Sequence, residues 1–77
     1  MVTSLHLASY LEFCRRLRQA REASGLTHAE VRRRLRRDQT FVSKIETGER
    51  RLDLIEAAEL GAIYGCPPAS LVPPKRS

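Results

Sequence analysis

The sequence predicts an all-α fold, and three observations lead to this prediction. Apolar residues recur at spacings of three and four in several segments, which places them on one face of a helix. Residues that typically begin or end helices lie between these segments, so the sequence predicts five distinct helices. The 77-residue chain has two Phe, two Tyr and no Trp, so aliphatic residues must supply most of its core. A chain of this length has room for one small core and therefore one domain.

The first two helices have clear signals at their junction. Helix 1 is predicted over residues 9–24, and its apolar positions are Tyr10, Phe13, Leu17 and Ala20. Gly25 is a favourable stop after it. Thr27 and Glu30 have the spacing of a capping box, which predicts helix 2 over residues 28–35. Residues 1–8 are expected to be either an N-terminal arm or an extension of helix 1.

Three more helices follow by the same reasoning. Asp38 is expected to cap helix 3 over residues 39–47, which Gly48 ends. Asp53 is expected to cap helix 4 over residues 54–64, before Gly65. The pair Pro67-Pro68 then begins a short fifth helix. The predicted domain spans residues 9–72, and residues 73–77 are expected to form a disordered polar tail.

The charge of the chain points to a polyanionic partner. Its net charge is +5 and its pI is about 10.0. Residues 15–37 contain nine arginines, whereas residues 53–66 contain three acidic residues and no Lys or Arg. A basic half beside an acidic half predicts one surface for nucleic acid and a second, different surface.

Several other classes of function are disfavoured. Cys14 and Cys66 lack a CxxC spacing, and no secretory signal precedes them, so we expect a cytoplasmic chain with free thiols. The two histidines and two cysteines are not spaced as metal ligands, so no metal or cofactor is expected. No catalytic motif is present, and no apolar run is long enough to cross a membrane, so we expect neither an enzyme nor a membrane protein.

The region from Gly25 to Gly48 carries the strongest functional signal, because its two short helices leave a polar face beside an arginine cluster. We expect the bases of DNA to be read by Gln39, Thr40, Ser43 and Lys44. We expect its phosphates to contact Thr27, His28, Arg36, Arg37, Arg50 and Arg51. Phe41 is expected to pack against a neighbouring helix, with contact to thymine methyl groups as the alternative.

The chain over residues 13–71 resembles the Cro and phage-repressor type of helix-turn-helix domain, also called the xenobiotic-response-element family. The matching motifs are Leu17-Arg18-x-x-Arg21, Gly25-Leu26-Thr27, Ala29-Glu30-Val31 and Phe41-Val42-Ser43-Lys44-Ile45-Glu46-x-Gly48-x-Arg50. The resemblance implies a five-helix, lambda-repressor-like fold in which helices 2 and 3 form the reading unit. It places base-reading residues at Gln39, Thr40 and Lys44, with Ser43 beside them, and it places His28 where the family usually has a phosphate-contacting Gln.

The resemblance also implies two structural contacts. The first is a buried ion pair between Arg21 and Glu46 that attaches helix 3 to helix 1. The second is pairing of two copies through the C-terminal end, for which the candidates are Ile63, Tyr64, Leu71 and Val72. The segment around Leu5 and Leu7 is a competing dimer surface.

Two arginines depart from the family pattern. Arg32 replaces a small residue of helix 2, and Arg36 replaces a glycine of the turn. A left-handed conformation at Arg36 would cost about 1 kcal/mol, so the angle between helices 2 and 3 is left open.

These observations predict a sequence-specific, DNA-binding transcriptional regulator. We expect a nucleoid-associated repressor that binds a pseudo-palindromic operator as a homodimer, with helix 3 in the major groove. The alternative is an antitoxin or protein-interaction module that neutralises a partner such as a toxin and autoregulates its operon. Phage regulators, restriction–modification controllers and antitoxins all fit this size.

Overall fold

The part of the chain that the structure describes folds into four α-helices followed by a single turn of 3-10 helix. The computed structural model describes residues 4–73. Helix α1 spans Ser4–Ala23, α2 spans His28–Leu35, α3 spans Phe41–Glu46 and α4 spans Leu54–Tyr64. The 3-10 turn spans Pro68–Leu71. The all-α prediction is confirmed, but the prediction of five α-helices is wrong for the described part of the chain.

The fifth helix is reduced to a 3-10 turn because prolines flank it on both sides. The backbone N–H of Val72 donates to the carbonyl of Ala69 at 3.3 Å, which is a spacing of three residues. Val72 itself is extended, with φ −76° and ψ 127°. A residue that precedes a proline avoids the α conformation, and here Pro73 ends the turn at once.

Helix α1 begins at Ser4 rather than at residue 9, so residues 4–8 continue the helix. The remainder of the predicted segment, residues 1–3, lies outside the described residues, as do residues 74–77 of the predicted tail. The end of α1 follows the prediction: Gly25 has φ 74°, and the N–H of Leu26 donates to the carbonyl of Arg21 at 3.3 Å. This left-handed glycine turns the chain toward α2.

Helix α2 begins with the predicted capping box. The hydroxyl of Thr27 accepts from the N–H of Glu30 at 3.1 Å, and the Glu30 carboxylate accepts from the N–H of Thr27 at 2.9 Å. The bond from the Thr27 backbone is the main reason that the pKa of Glu30 is lowered. A capping box uses donors that the first turn of a helix cannot satisfy internally, so it fixes the start of α2.

Helix α3 is shorter than predicted, since it begins at Phe41 instead of residue 39 and ends at Glu46. The side chain of Asp38 accepts from both the backbone N–H and the hydroxyl of Thr40, at 3.0 and 3.1 Å. Asp38 therefore stabilises a turn that precedes the helix, and Thr40 occupies the N-cap position. Asp38 thus makes the bond to residue i+2 that a capping Asp makes, but a turn follows it, so the regular helix begins two residues later than predicted.

The core lies where all four helices meet. Its buried members are Leu17, Val31, Phe41, Val42, Ile45, Leu60 and Tyr64. Three of the six residues of α3 are among them, so this short helix is held mainly by packing. Among residues 4–73, no helix is long and apolar enough to cross a bilayer.

Candidate nucleic-acid interface

The predicted base-reading residues lie on α3 or directly before it. Gln39, Thr40 and Lys44 are exposed, and Ser43 is half-buried. The N–H of Lys44 donates to the carbonyl of Thr40 at 2.9 Å, so these two residues are one helical turn apart on the same face. The Thr40 hydroxyl donates to Asp38, which fixes its orientation. The exposed side of α3 is therefore polar, with donors and acceptors suited to base edges.

The opposite side of α3 is apolar and buried. Phe41 packs inside the core, as the packing interpretation predicts, and is accompanied there by Val42 and Ile45. This division between a buried face and a polar face determines which residues of α3 can meet a ligand.

An ion pair attaches the end of α3 to α1. The Nε atom of Arg21 donates to Glu46 Oε2 at 2.7 Å, and Nη2 of Arg21 lies 3.3 Å from Oε1. The same guanidinium donates through Nη1 to the carbonyl of Leu26 at 2.8 Å. The side chains of Arg21 and Glu46 are only 12% and 7% exposed. Bonding to Glu46 is the main cause of the raised pKa of Arg21, so this arginine stays charged.

His28 joins this cluster instead of standing alone at the start of α2. Its Nε2 atom lies 3.0 Å from Glu46 Oε1. One carboxylate at the end of α3 therefore contacts both α1 and α2. The start of α2 is a predicted phosphate site, but it also carries the negative carboxylate of Glu30, which accepts a hydrogen bond from the Thr27 hydroxyl. Thr27 and His28 are both committed to internal bonds there.

The turn between α2 and α3 contains the left-handed residue that the family pattern assigns to glycine. Arg36 has φ 56° and ψ 47°. The N–H of Arg37 donates to the carbonyl of Arg32 at 2.9 Å, and the N–H of Arg36 donates to the carbonyl of Arg33 at 3.2 Å. These two bonds form the motif that usually ends a helix at a glycine. The turn therefore keeps its usual backbone with an arginine in a strained position, and the Arg36 side chain is exposed.

Two of the predicted phosphate contacts converge on one buried carboxylate. Glu56 Oε1 and Oε2 accept from the two Nη atoms of Arg50, at 2.8 Å each. Glu56 also accepts from Nη2 of Arg37 and, at 3.2 Å, from the N–H of Asp53. The guanidinium carbons of Arg37 and Arg50 lie over the ring of Phe41, at 4.4 and 5.0 Å from its centroid.

The last of the six predicted phosphate contacts, Arg51, stacks on α1. Its guanidinium carbon lies 4.7 Å from the centroid of the Tyr10 ring. The Tyr10 hydroxyl donates to the carbonyl of Arg50 at 3.0 Å and accepts from the N–H of Leu52 at 3.1 Å. Burial raises the pKa of Tyr10, so the phenol stays protonated near neutrality. Tyr10 thus fixes the backbone that follows α3.

The predicted dimer residues are mostly internal to the protomer. Tyr64 is buried in the core, and its burial raises the pKa of the phenol. Ile63 and Leu71 pack against the core, which leaves Val72 as the exposed member, at 57%. The large exposed apolar residues at the start of α4 are Leu54 and Ile55, at 80% and 68% exposure. The tertiary packing therefore places the apolar surface elsewhere than predicted.

Glu56 and Tyr10 are important residues that the sequence interpretation did not identify as part of this interface. Glu56 was treated only as a member of the acidic half, and Tyr10 only as a core position. A signal for Glu56 was present, because Asp53 and Glu56 have capping-box spacing, and both reciprocal bonds are observed. No local pattern indicated that Arg37 and Arg50 would meet at its carboxylate.

Comparisons with known proteins agree with this geometry. The helix-turn-helix domain family model matches residues 12–72. A solved structure described as an XRE-family like protein, from Pseudomonas syringae pv. tomato str. DC3000, is 43% identical in sequence, with a TM-score of 0.81. The match covers 88% of this chain and 83% of that chain. This chain belongs to the XRE family of helix-turn-helix domains. The comparison with curated proteins found no match. In this XRE domain, α2 and α3 are the helix-turn-helix pair, and the family supports a DNA-binding regulator.

Proposed function

We propose that the protein is a transcriptional repressor that binds a pseudo-palindromic operator as a homodimer, with α3 in the major groove. The observation that carries the proposal is the two-sided nature of α3. One side is fixed in the core and anchored through Glu46 to Arg21, while Gln39, Thr40 and Lys44 remain exposed. A rigid helix with an exposed polar face is the arrangement that direct reading of base edges requires.

The assigned chemistry differs from residue to residue. Gln39 can pair with adenine through N6 and N7, and Lys44 can reach guanine O6 and N7. Thr40 offers its methyl group to thymine, since its hydroxyl is held by Asp38. Ser43 is small enough to allow the backbone of α3 to approach the bases. Arg36 and Arg51 supply phosphate contacts that contribute affinity without selecting sequence.

The proposed dimer uses the exposed apolar residues at the start of α4 together with Val72. Leu54 and Val72 line an apolar cleft of about 390 Å³, whose other lining residues include Tyr10, Phe13 and Ala57. To read both halves of an operator, such a dimer has to present its two α3 helices to successive major grooves, which lie about 34 Å apart on B-DNA. Replacing Ile55, exposed and apolar, by Asp should give a monomer in sedimentation, with weakened operator binding. A chain that sediments as a monomer in its wild-type form, even on a two-site duplex, would contradict the dimer.

The same surface suits the second candidate, in which the protein neutralises a toxin or other protein partner and autoregulates its operon. Exposed Leu54 and Ile55 beside the acidic residues Asp53 and Glu59 would then face that partner. This candidate would be favoured if the wild-type chain stays monomeric and binds the protein product of an adjacent reading frame.

The test of the main proposal is operator selection from random duplexes, followed by binding assays with variants. Gln39→Ala and Lys44→Ala should each weaken operator binding by ~1–3 kcal/mol and relax the preferred base at one position. The control is Arg18→Ala, which removes one exposed positive charge from α1 and should leave base preference unchanged. Affinity should fall steeply with salt, because phosphate contacts release counterions. If Gln39→Ala and Lys44→Ala leave base preference intact, α3 is not the reading helix.

A further inference from the structure

The carboxylate of Glu56 is the most highly coordinated acidic group near α3. It is 8% exposed and accepts from two guanidinium groups and one backbone N–H, although it lies beside a surface expected to meet DNA. Glu56, its partners Arg37 and Arg50, and the Phe41 ring under the two guanidinium groups form what we call the arginine clamp. A negative group at this place opposes DNA binding, because it repels the phosphates. If the surface binds DNA, this carboxylate must also contribute something that offsets the repulsion.

The arginine clamp borders a cleft between the α2–α3 turn and the loop after α3. The cleft measures about 230 Å³ and is lined by Arg36, Arg37, Asp38, Phe41 and Arg50. This volume is many times the ~10–15 Å³ that one water needs on the same measure, so the cleft has room for one phosphate group. Oδ1 of Asp38 accepts from both the hydroxyl and the backbone N–H of Thr40. These two bonds lower the pKa of Asp38. With Asp38 and Glu56 both charged, three guanidinium groups still leave an excess of positive charge.

The bonding of the guanidinium groups leaves donors for a ligand. A guanidinium carries five N–H donors, and the bond from Arg37 to Glu56 uses one of them, at Nη2. Arg50 uses both Nη atoms for Glu56 and Nη1 also for the Arg51 carbonyl, at 3.2 Å, which leaves its Nε–H and one hydrogen of Nη2. Both arginine side chains remain more than one-third exposed, at 36% for Arg37 and 38% for Arg50. Their partners Glu56 and Phe41 restrict the rotamers that an exposed arginine otherwise explores. The entropy of ordering them is therefore lost on folding, before DNA binds.

We propose that Glu56 is a positioning residue that directs Arg37 and Arg50 toward one DNA phosphate in this cleft. The inference rests on the proposed function, since it requires a duplex against α3. Glu56 itself does not touch DNA. It acts by holding two flexible cations in the geometry of a phosphate contact.

The variant Glu56→Gln separates positioning from electrostatics, because the two effects have opposite signs. Removing one negative charge makes the protein more basic, and charge alone predicts tighter binding to every duplex. Loss of positioning predicts weaker binding. We expect the Kd for a random-sequence duplex and for the selected operator to rise about threefold to tenfold. The salt slope should fall by about one, as for the loss of one phosphate contact.

The matched control is Glu59→Gln, which makes the same charge change at an exposed position on α4. Its binding should be unchanged or slightly tighter. Binding by Glu56→Gln that is as tight as wild type, or tighter, would overturn the inference while leaving the proposed function intact. Absence of any duplex binding by the wild-type chain would overturn the proposed function and this inference together.

A second variant covers the case in which Glu56→Gln does not fold, as judged by circular dichroism. Arg37→Lys keeps the positive charge and leaves Glu56 paired with Arg50, but it lacks the planar fork. We expect about a threefold loss of affinity, with a similar melting temperature. Wild-type affinity in Arg37→Lys would overturn the inference. If both variants fold, their combined loss should be smaller than the product of the single losses, because they disrupt one unit. A multiplicative loss would also overturn it.

Discussion

The ion pair between Arg21 and Glu46 makes a sharp prediction about stability. Glu46→Ala removes the carboxylate from a guanidinium that is 12% exposed and cannot recover its hydration in place. Removing one partner of a buried pair typically costs about 3–5 kcal/mol. The lower end applies here, because Arg21 keeps its bond to the Leu26 carbonyl at 2.8 Å. His28 also loses its contact with Glu46, which adds to the cost.

This free-energy loss converts directly into a melting temperature. One kcal/mol shifts the melting temperature of a 60–100-residue domain by roughly 4–8 °C, so a loss of about 3 kcal/mol lowers it by roughly 12–24 °C. The double change of Arg21→Met with Glu46→Leu removes both charges and keeps most of the volume. It should lose much less, because no charge remains stranded.

Thermal unfolding followed by circular dichroism tests this reasoning, with Glu22→Ala as the control. Glu22 pairs with Arg18 on the surface of α1, where both side chains are more than half exposed. Exposed pairs contribute little, so this variant should melt close to wild type. If Glu46→Ala also melts within a degree or two of wild type, the pair does not anchor α3 and the reasoning is refuted.

Three further predictions follow from local structure. Arg36→Gly should raise the melting temperature, because it removes about 1 kcal/mol of left-handed strain, whereas Arg36→Ala should not; equal melting of the two variants would contradict this. Gly48→Ala should destabilise the protein in thermal unfolding, since Gly48 has φ 84° and an added Cβ would also push aside Leu11 Cδ2, 2.6 Å away; wild-type stability would be inconsistent with a left-handed backbone at this position. Bonds from Arg15 and then Arg16 lower the pKa of Glu12 from 4.5 to about 2. The stabilisation from Glu12 is therefore complete above pH 4.5 and lost as the pH falls toward 2, so Glu12→Gln should flatten the pH dependence of unfolding in that window.

The sequence predicts a site residue well when its surroundings come from neighbouring residues, and poorly when they come from distant parts of the chain. Gln39, Thr40 and Lys44 are exposed as the sequence pattern indicates, because their places depend only on one short helix and the turn directly before it. Arg37 and Arg50 were predicted to be independent phosphate contacts, yet both bond to Glu56. Their convergence depends on how the α2–α3 turn and α4 pack, which no spacing within either segment reveals.

Helix boundaries were determined largely by the sequence itself. The capping box of Thr27 and Glu30 and the left-handed Gly25 act within four residues, so their geometry depends on the neighbouring sequence. The exception is α3, where Asp38 bonds the N–H of Thr40 but the segment after it forms a turn, so the helix begins at Phe41. Both outcomes are short-range, and the sequence alone does not rank them.

Tertiary structure decided the contacts between residues far apart in the chain. Tyr10 bonds the backbone at Arg50 and Leu52, and Tyr64 lies in the core instead of on a dimer surface. The left-handed Arg36 likewise persists because the bonds of the turn and the packing of α2 against α3 outweigh its local strain. Caps and periodicity depend on neighbours within about one helical turn, whereas the burial of a ring or carboxylate depends on which helices meet around it. That meeting is fixed by packing the whole core, so it can be read only from the folded chain.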